Sequence, residues 1–125
     1  MAVDPAGRHL IIEVTGRDAV RLVRVPIAGG ADEEIAVSRD RRLIADLSPS
    51  AVGPDGRIVV RVVAADSWFW PAAILDPRSG ALTEIPGARD RDMDRPAWSP
   101  DGRLVSLALP MRSSLWRFRP VAGPW

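Results

Sequence analysis

Three times the chain passes through the same phrase of residue types, a tight-turn segment followed by a short β-branched run. Val3-Asp4-Pro5-Ala6-Gly7-Arg8 leads into residues 9–14, Val52-Gly53-Pro54-Asp55-Gly56-Arg57 into 58–63, and Trp98-Ser99-Pro100-Asp101-Gly102-Arg103 into 104–109. Aligned on Gly7, Gly56 and Gly102, the copies are spaced by 49 and 46 residues. A repeat of that length is a supersecondary unit that cannot bury its apolar face alone, so neighbouring copies must stack.

Each phrase has a physical reading. In Pro100-Asp101-Gly102, proline presets φ at the first turn position, the aspartate bonds neighbouring amides and the glycine accepts positive φ, so a strand reverses there. A second turn follows about 24 residues on, at Pro26-Ile27-Ala28-Gly29-Gly30 in the first copy and Asp76-Pro77-Arg78-Ser79-Gly80 in the middle one. The 12 prolines and 10 glycines break the chain too often for a long uninterrupted helix. What lies between reads as strand: 10–14, 20–25, 58–63 and 104–109 are β-branched and apolar on both alternating faces, as in sheets covered on both sides. Each repeat is therefore expected to run strand, tight turn, strand, loop, strand, tight turn, strand, which is a four-stranded antiparallel unit.

Trp98-Ser99-Pro100-Asp101-Gly102-Arg103-Leu104, followed by Leu115-Trp116-Arg117-Phe118, resembles the repeat of the TolB-type, WD-repeat-like bacterial β-propellers. The middle copy departs from it, with Val52 for the aromatic residue and Gly53 for serine, and the first reads Asp-Pro-Ala-Gly. The resemblance implies an all-β fold of antiparallel four-stranded β-propeller blades, with repeats at about 1–46, 47–90 and 91–125 forming one segment. Three blades make an incomplete propeller, and its two ends would expose apolar surface or unpaired edges. Two expectations follow: a fragment of a larger bacterial protein, or a homodimer completing a six-bladed ring.

Strand parity places the Pro-Asp-Gly turns on one rim. The other rim would gather the loops 15–19, 64–67 and 110–114 and the crossings 38–50 and 87–95, and longer loops on a rigid scaffold are where binding is usually placed. The partner-binding residues expected there are Asp66, Trp68, Asp92, Asp94, Arg95 and Arg112. Ser67-Trp68-Phe69-Trp70-Pro71 concentrates aromatic residues. If the segment is extended, Trp68 and Trp70 share a face, and burial between adjacent blades is the expected fate of these rings; a tryptophan left at the rim would instead anchor an interface. Trp98 and Trp116, at repeat positions, are expected in the core. Asp90, Asp92 and Asp94 alternate like calcium ligands, but Arg95 stands where the helix-loop-helix calcium motif requires glycine, so a solvated crossing that pairs its own charges is expected and no metal is assigned.

Composition narrows the classes further. All 17 basic residues are arginine, balanced by 16 acidic ones, so the net charge of +1 exerts no general pull toward nucleic acid or an anionic membrane. The absence of cysteine removes disulfides, thiol nucleophiles and thiolate metal sites. His9, the single histidine, follows a turn and reads as a rim or packing residue rather than a general base. No nucleophile elbow, zinc-protease motif or phosphate-binding loop occurs. No secretory leader is read at the start and no apolar stretch approaches the length of a membrane span, which makes the cytoplasm the default expectation. The resulting expectation is a non-catalytic protein-binding or scaffolding segment without a cofactor, whose partner is a protein or peptide. The alternative is a propeller accessory to a prolyl-type peptidase or Ser/Thr kinase domain outside this chain.

Overall fold

In the computed structural model, which describes residues 1–38, 41–87, 89, 91–110 and 115–116, the run Ile58-Val59-Val60-Arg61-Val62 is buried without interruption. Alternating burial marks a strand with one wet face, so this strand, β6 (Ile58–Val63), has a covered sheet face on each side. The described residues contain no helix and ten strands. The first sheet is the meander β1 (Ala2–Val3), β2 (His9–Thr15), β3 (Val20–Pro26) and β4 (Glu33–Ile35). The second is β5 (Arg42–Ile44), β6, β7 (Ala72–Leu75) and β8 (Leu82–Glu84), and β9 (Asp92–Trp98) pairs with β10 (Leu104–Leu109) in the third. All pairings are antiparallel between chain neighbours, the order that the repeat predicts.

The sheets stack face to face. β3 packs against β5 and β6 against β9, so the second sheet lies between the other two. Cross-strand partners share a face, and the registers show how the core is built. Ile11, Leu22 and Ile35 of the first sheet are buried and meet the Leu43, Ile58, Val60, Val62 and Leu75 side of the second. Val59, Arg61 and Ala72 lie on the opposite side, toward Met93 and Trp98 of β9. Truncating such a buried leucine typically costs about 2–5 kcal/mol, lost transfer energy plus a cavity.

The turns reveal a register that glycine alignment misses. Gly56 N–H donates to Gly53 O and Gly53 N–H to Arg57 O; Gly102 to Ser99 and Ser99 to Arg103 repeat the pattern. In the first copy Gly7 donates to Asp4 O, but Asp4 N–H reaches one residue further, to His9 O. The extra residue is Arg8, inserted between the glycine and the strand. Val3 faces Leu10, Val52 faces Ile58 and Trp98 faces Leu104, so Leu10, Ile58 and Leu104 are equivalent, spaced by 48 and 46 residues. A one-residue shift moves every side chain of a strand to the other face. Leu10, Ile12 and Val14 therefore correspond to Ile58, Val60 and Val62, while Ile11 and Glu13 correspond to Val59 and Arg61.

Two strand boundaries differ from expectation. β5 lies before residue 47 yet pairs with β6, so the second sheet draws its first strand from the end of the first repeat. Its pairing with β6 is interrupted: β5 covers residues 61–63, Val52 bridges Ile58, and residues 45–50 loop out between. Asp92, Asp94 and Arg95, expected in a crossing, lie on β9. Arg95 has φ of 47°, and Arg95 and Pro96 stand opposite Ser106 where the register shifts. A bulge here lets proline, which lacks an N–H, sit within the strand.

Candidate functional site

The loop from β6 to β7 carries Ser67-Trp68-Phe69-Trp70 outside any strand, so the alternation expected of an extended segment does not apply. Trp68 is 96% exposed and Trp70 44%, which corrects the expected burial of both rings between sheets; Trp116, expected in the core, is likewise exposed, at 78%. Trp98 does pack against the core. Trp68 projects from a braced loop. Ser67 Oγ accepts the Phe69 N–H at 3.0 Å and donates to Arg89 O at 3.1 Å, and Trp70 N–H donates to Asp92 Oδ1 at 2.8 Å. Arg89 closes the frame, donating to Asp66 Oδ2 at 2.6 Å and, through Nε and Nη2, to both carboxylate oxygens of Glu84 at 2.6 and 2.9 Å. The Arg89 guanidinium holds the Glu84 carboxyl below its ordinary range. Arg41, Arg42, Val63, Ala65, Asp66 and Arg89 line an open cleft of about 480 Å³ beside the loop.

Beneath this rim lies a polar relay across all three sheets. Glu13 Oε2 accepts the N–H groups of Asp46 and Leu47, both at 2.8 Å, and so pins the looped-out segment of the second sheet to the first. Asp46 Oδ2 accepts from Arg61 Nη1 at 3.0 Å and from the Arg95 N–H at 2.9 Å. Arg61 Nη1 also lies 3.4 Å from Asp94 Oδ1, and its guanidinium sits over the Trp70 ring, 5.1 Å from the centroid. Arg61 is 7% exposed. A charge so buried needs its partners, because an unpaired one would cost several kcal/mol.

The expected site residues thus divide. Asp66 and Trp68 are exposed, Asp92 and Asp94 are committed to Trp70 and Arg61, and Arg95 is held to Asp46 through its backbone N–H while its side chain is exposed. Arg112 and Asp90 lie outside the described residues. No three carboxylate or histidine groups converge as a metal-holding cluster among the described residues. Sequence reasoning passed over Arg61, Glu84 and Arg89. A lone arginine inside Ile-Val-Val-Arg-Val-Val was the available signal for the first, since a charge in a doubly covered strand must be paired.

On the other rim, Asp4, His9, Arg24, Asp55, Arg57, Asp76 and Arg78 line a cleft of about 360 Å³ between the first two sheets. Its charges are largely spent on the turns. Asp4 accepts the N–H groups of Arg8 and His9 at 2.7 and 3.1 Å, and His9 Nδ1 lies 2.9 Å from its other oxygen. The imidazole is the main reason the Asp4 carboxyl is lowered to about 2, with the backbone donors adding to it. A carboxyl depressed from 3.8 contributes stability that is present above pH 3.8 and is lost as the pH falls through about 2. Asp4→Asn is accordingly expected to destabilise the chain at neutral pH by about 1 kcal/mol. The difference from wild type should vanish in urea titrations carried from pH 5 down to about 2. A gap that persists undiminished at the acid end would rule this origin out.

Comparison of the chain with family models, with curated proteins and with solved structures gives no match.

Proposed function

We propose that the chain is a run of β-propeller blades whose role is non-catalytic recognition of a protein or peptide, with Trp68 as the anchor of its binding rim. The observation that carries this reading is the exposure of Trp68, at 96%, on a loop fixed from both sides by Ser67, Arg89 and Asp92. A large aromatic ring in water is a poor use of apolar surface in a free protein. Carried on a backbone already braced by its neighbours, it is the type of group that dominates binding energy at interfaces. The surrounding Asp66, Glu84 and Arg89 already pair with one another, so they supply a polar rim around the ring rather than a site for proton transfer. The repeated meanders and turns support the blade reading, as does the side-by-side stacking of the sheets.

The test begins with a displayed peptide library selected against the purified chain. Trp68→Ala is expected to weaken the enriched peptides at least tenfold, on the order of 1.4 kcal/mol, while the thermal midpoint stays within about 2 °C. Enrichment indifferent to Trp68→Ala would remove this rim from consideration.

A further inference from the structure

Among the described residues, the two end sheets each leave a largely apolar face without a covering sheet. On the first sheet, Val3, Leu10 and Val25 form one cross-strand row and Ile12 with Val23 the next, followed by Val14. These side chains lie on the face opposite Ile11, Leu22 and Ile35, are partly or largely exposed, and lie outside the core cluster and the apolar residues packed on it. On β10, Val105, Leu107 and Leu109 alternate with Leu104, which packs inward, and are 52%, 59% and 44% exposed. The far edge of β10 pairs with no strand among the described residues.

The register found at the turns says what these faces are. Leu10, Ile12 and Val14 occupy the positions of Ile58, Val60 and Val62, which in the second sheet are covered by the first. Val105 and Leu107 occupy the positions of Val59 and Arg61, which are covered by the third. The outer face of the first sheet is thus built to receive a preceding sheet, and that of the third to receive a following one. Each end carries the mate of the other.

We propose that these two faces bind each other between copies of the chain, the outer face of β9 and β10 in one stacking on that of β1 to β4 in the next, so that two copies close a ring of six sheets. The proposal rests on reading the sheets as consecutive blades. The same kind of contact already joins the first sheet to the second and the second to the third, and the new interface continues that stack. Such a contact is head-to-tail, and head-to-tail contacts either close or run on as open assemblies. Six blades fall within the size of closed propellers, whereas three fall short.

Light scattering across a size-exclusion column, with circular dichroism on the same peak, tests this. The expected mass is twice 13.6 kDa. Leu107→Glu and Ile12→Glu, one on each face, are each expected to give a folded monomer, with Val23→Glu replacing Ile12→Glu if the latter loses its β signal. An equimolar mixture of the two variants retains one intact pair of faces and should return to twice the monomer mass. A folded wild-type monomer overturns the pairing and leaves the blade reading standing, whereas a wild-type chain without β signal overturns both. A dimer broken by only one of the two substitutions reveals a like-to-like contact and refutes the proposal, as does a mass that climbs with concentration without a plateau.

Discussion

Arg61→Ala is expected to destabilise the chain by about 3–5 kcal/mol, the range for removing one member of a buried ion pair. For a domain of this size that corresponds to a fall in thermal midpoint of roughly 10 °C or more. The loss has three sources. Asp46 and Asp94 are left without the cation that joins them, the stacking on Trp70 disappears, and the stem of a residue only 7% exposed leaves a void between the second and third sheets. Arg61→Met fills the void without restoring charge, so it separates packing from pairing. If pairing dominates, Arg61→Met alone should remain strongly destabilised, and adding Asp46→Asn with Asp94→Asn should recover more than half of the loss. Asparagine keeps an acceptor for the Arg95 N–H, which isolates the charge effect. A loss under about 1 kcal/mol for Arg61→Ala in a chemical denaturation series would show that the relay across the sheets does not hold them together.

Gly53→Ser, which restores the residue found at the equivalent turn position of the third copy, is expected to be destabilising by about 1–3 kcal/mol. A Cβ at position 53 would stand 2.9 Å from Trp98 Cε2 and 3.1 Å from Cδ2 and Nε1, inside the approach that real atoms adopt. The indole cannot yield freely, because Trp98 packs on the core and its backbone N–H is held by Ser50 O at 2.8 Å. The middle copy thus lacks the serine for a steric reason that the repeat conceals: the first strand of the third sheet lays its ring over this turn. Asp55 takes over the lost capping, accepting the Arg57 N–H at 3.0 Å, the service that Ser99 Oγ performs for Arg103. In a Trp98→Leu background the penalty of Gly53→Ser should fall to near zero, and a double-mutant cycle measures the coupling. Equal penalties in both backgrounds would assign the cost to the turn itself.

Much of the fold was legible in the residue types because it is local. Pro54-Asp55-Gly56 and Pro100-Asp101-Gly102 carry the turn chemistry within a few residues, and Gly56 and Gly102 adopt φ of 83° and 79° as that chemistry requires. Strands 58–63 and 104–109 coincide with β6 and β10, and both faces of β6 are buried as its unbroken apolar run suggests. The candidate site was legible only in part. Asp66 lies in the loop between β6 and β7, where strand parity puts residues 64–67, and Trp68 follows in the same loop, but the fate of its ring depended on whether residues 67–70 were extended. Asp92 and Asp94 were visible as an acidic alternation, but their partners, Trp70 N–H and Arg61, lie 22 and 33 residues away in the chain.

The sequence by itself determined the turns and the antiparallel order of neighbouring strands, since each depends on contacts within a few tens of residues. Only the tertiary structure decided which face of each sheet is covered. For the first sheet that choice hangs on Arg8, a single inserted residue that shifts the register of β2, and a shift by one exchanges the two faces of a strand. It also decided that Arg61 would be the buried hub of three sheets and Gly53 the floor beneath Trp98. Both roles are set by groups brought together from different repeats, at distances in sequence where pattern carries no information about contact.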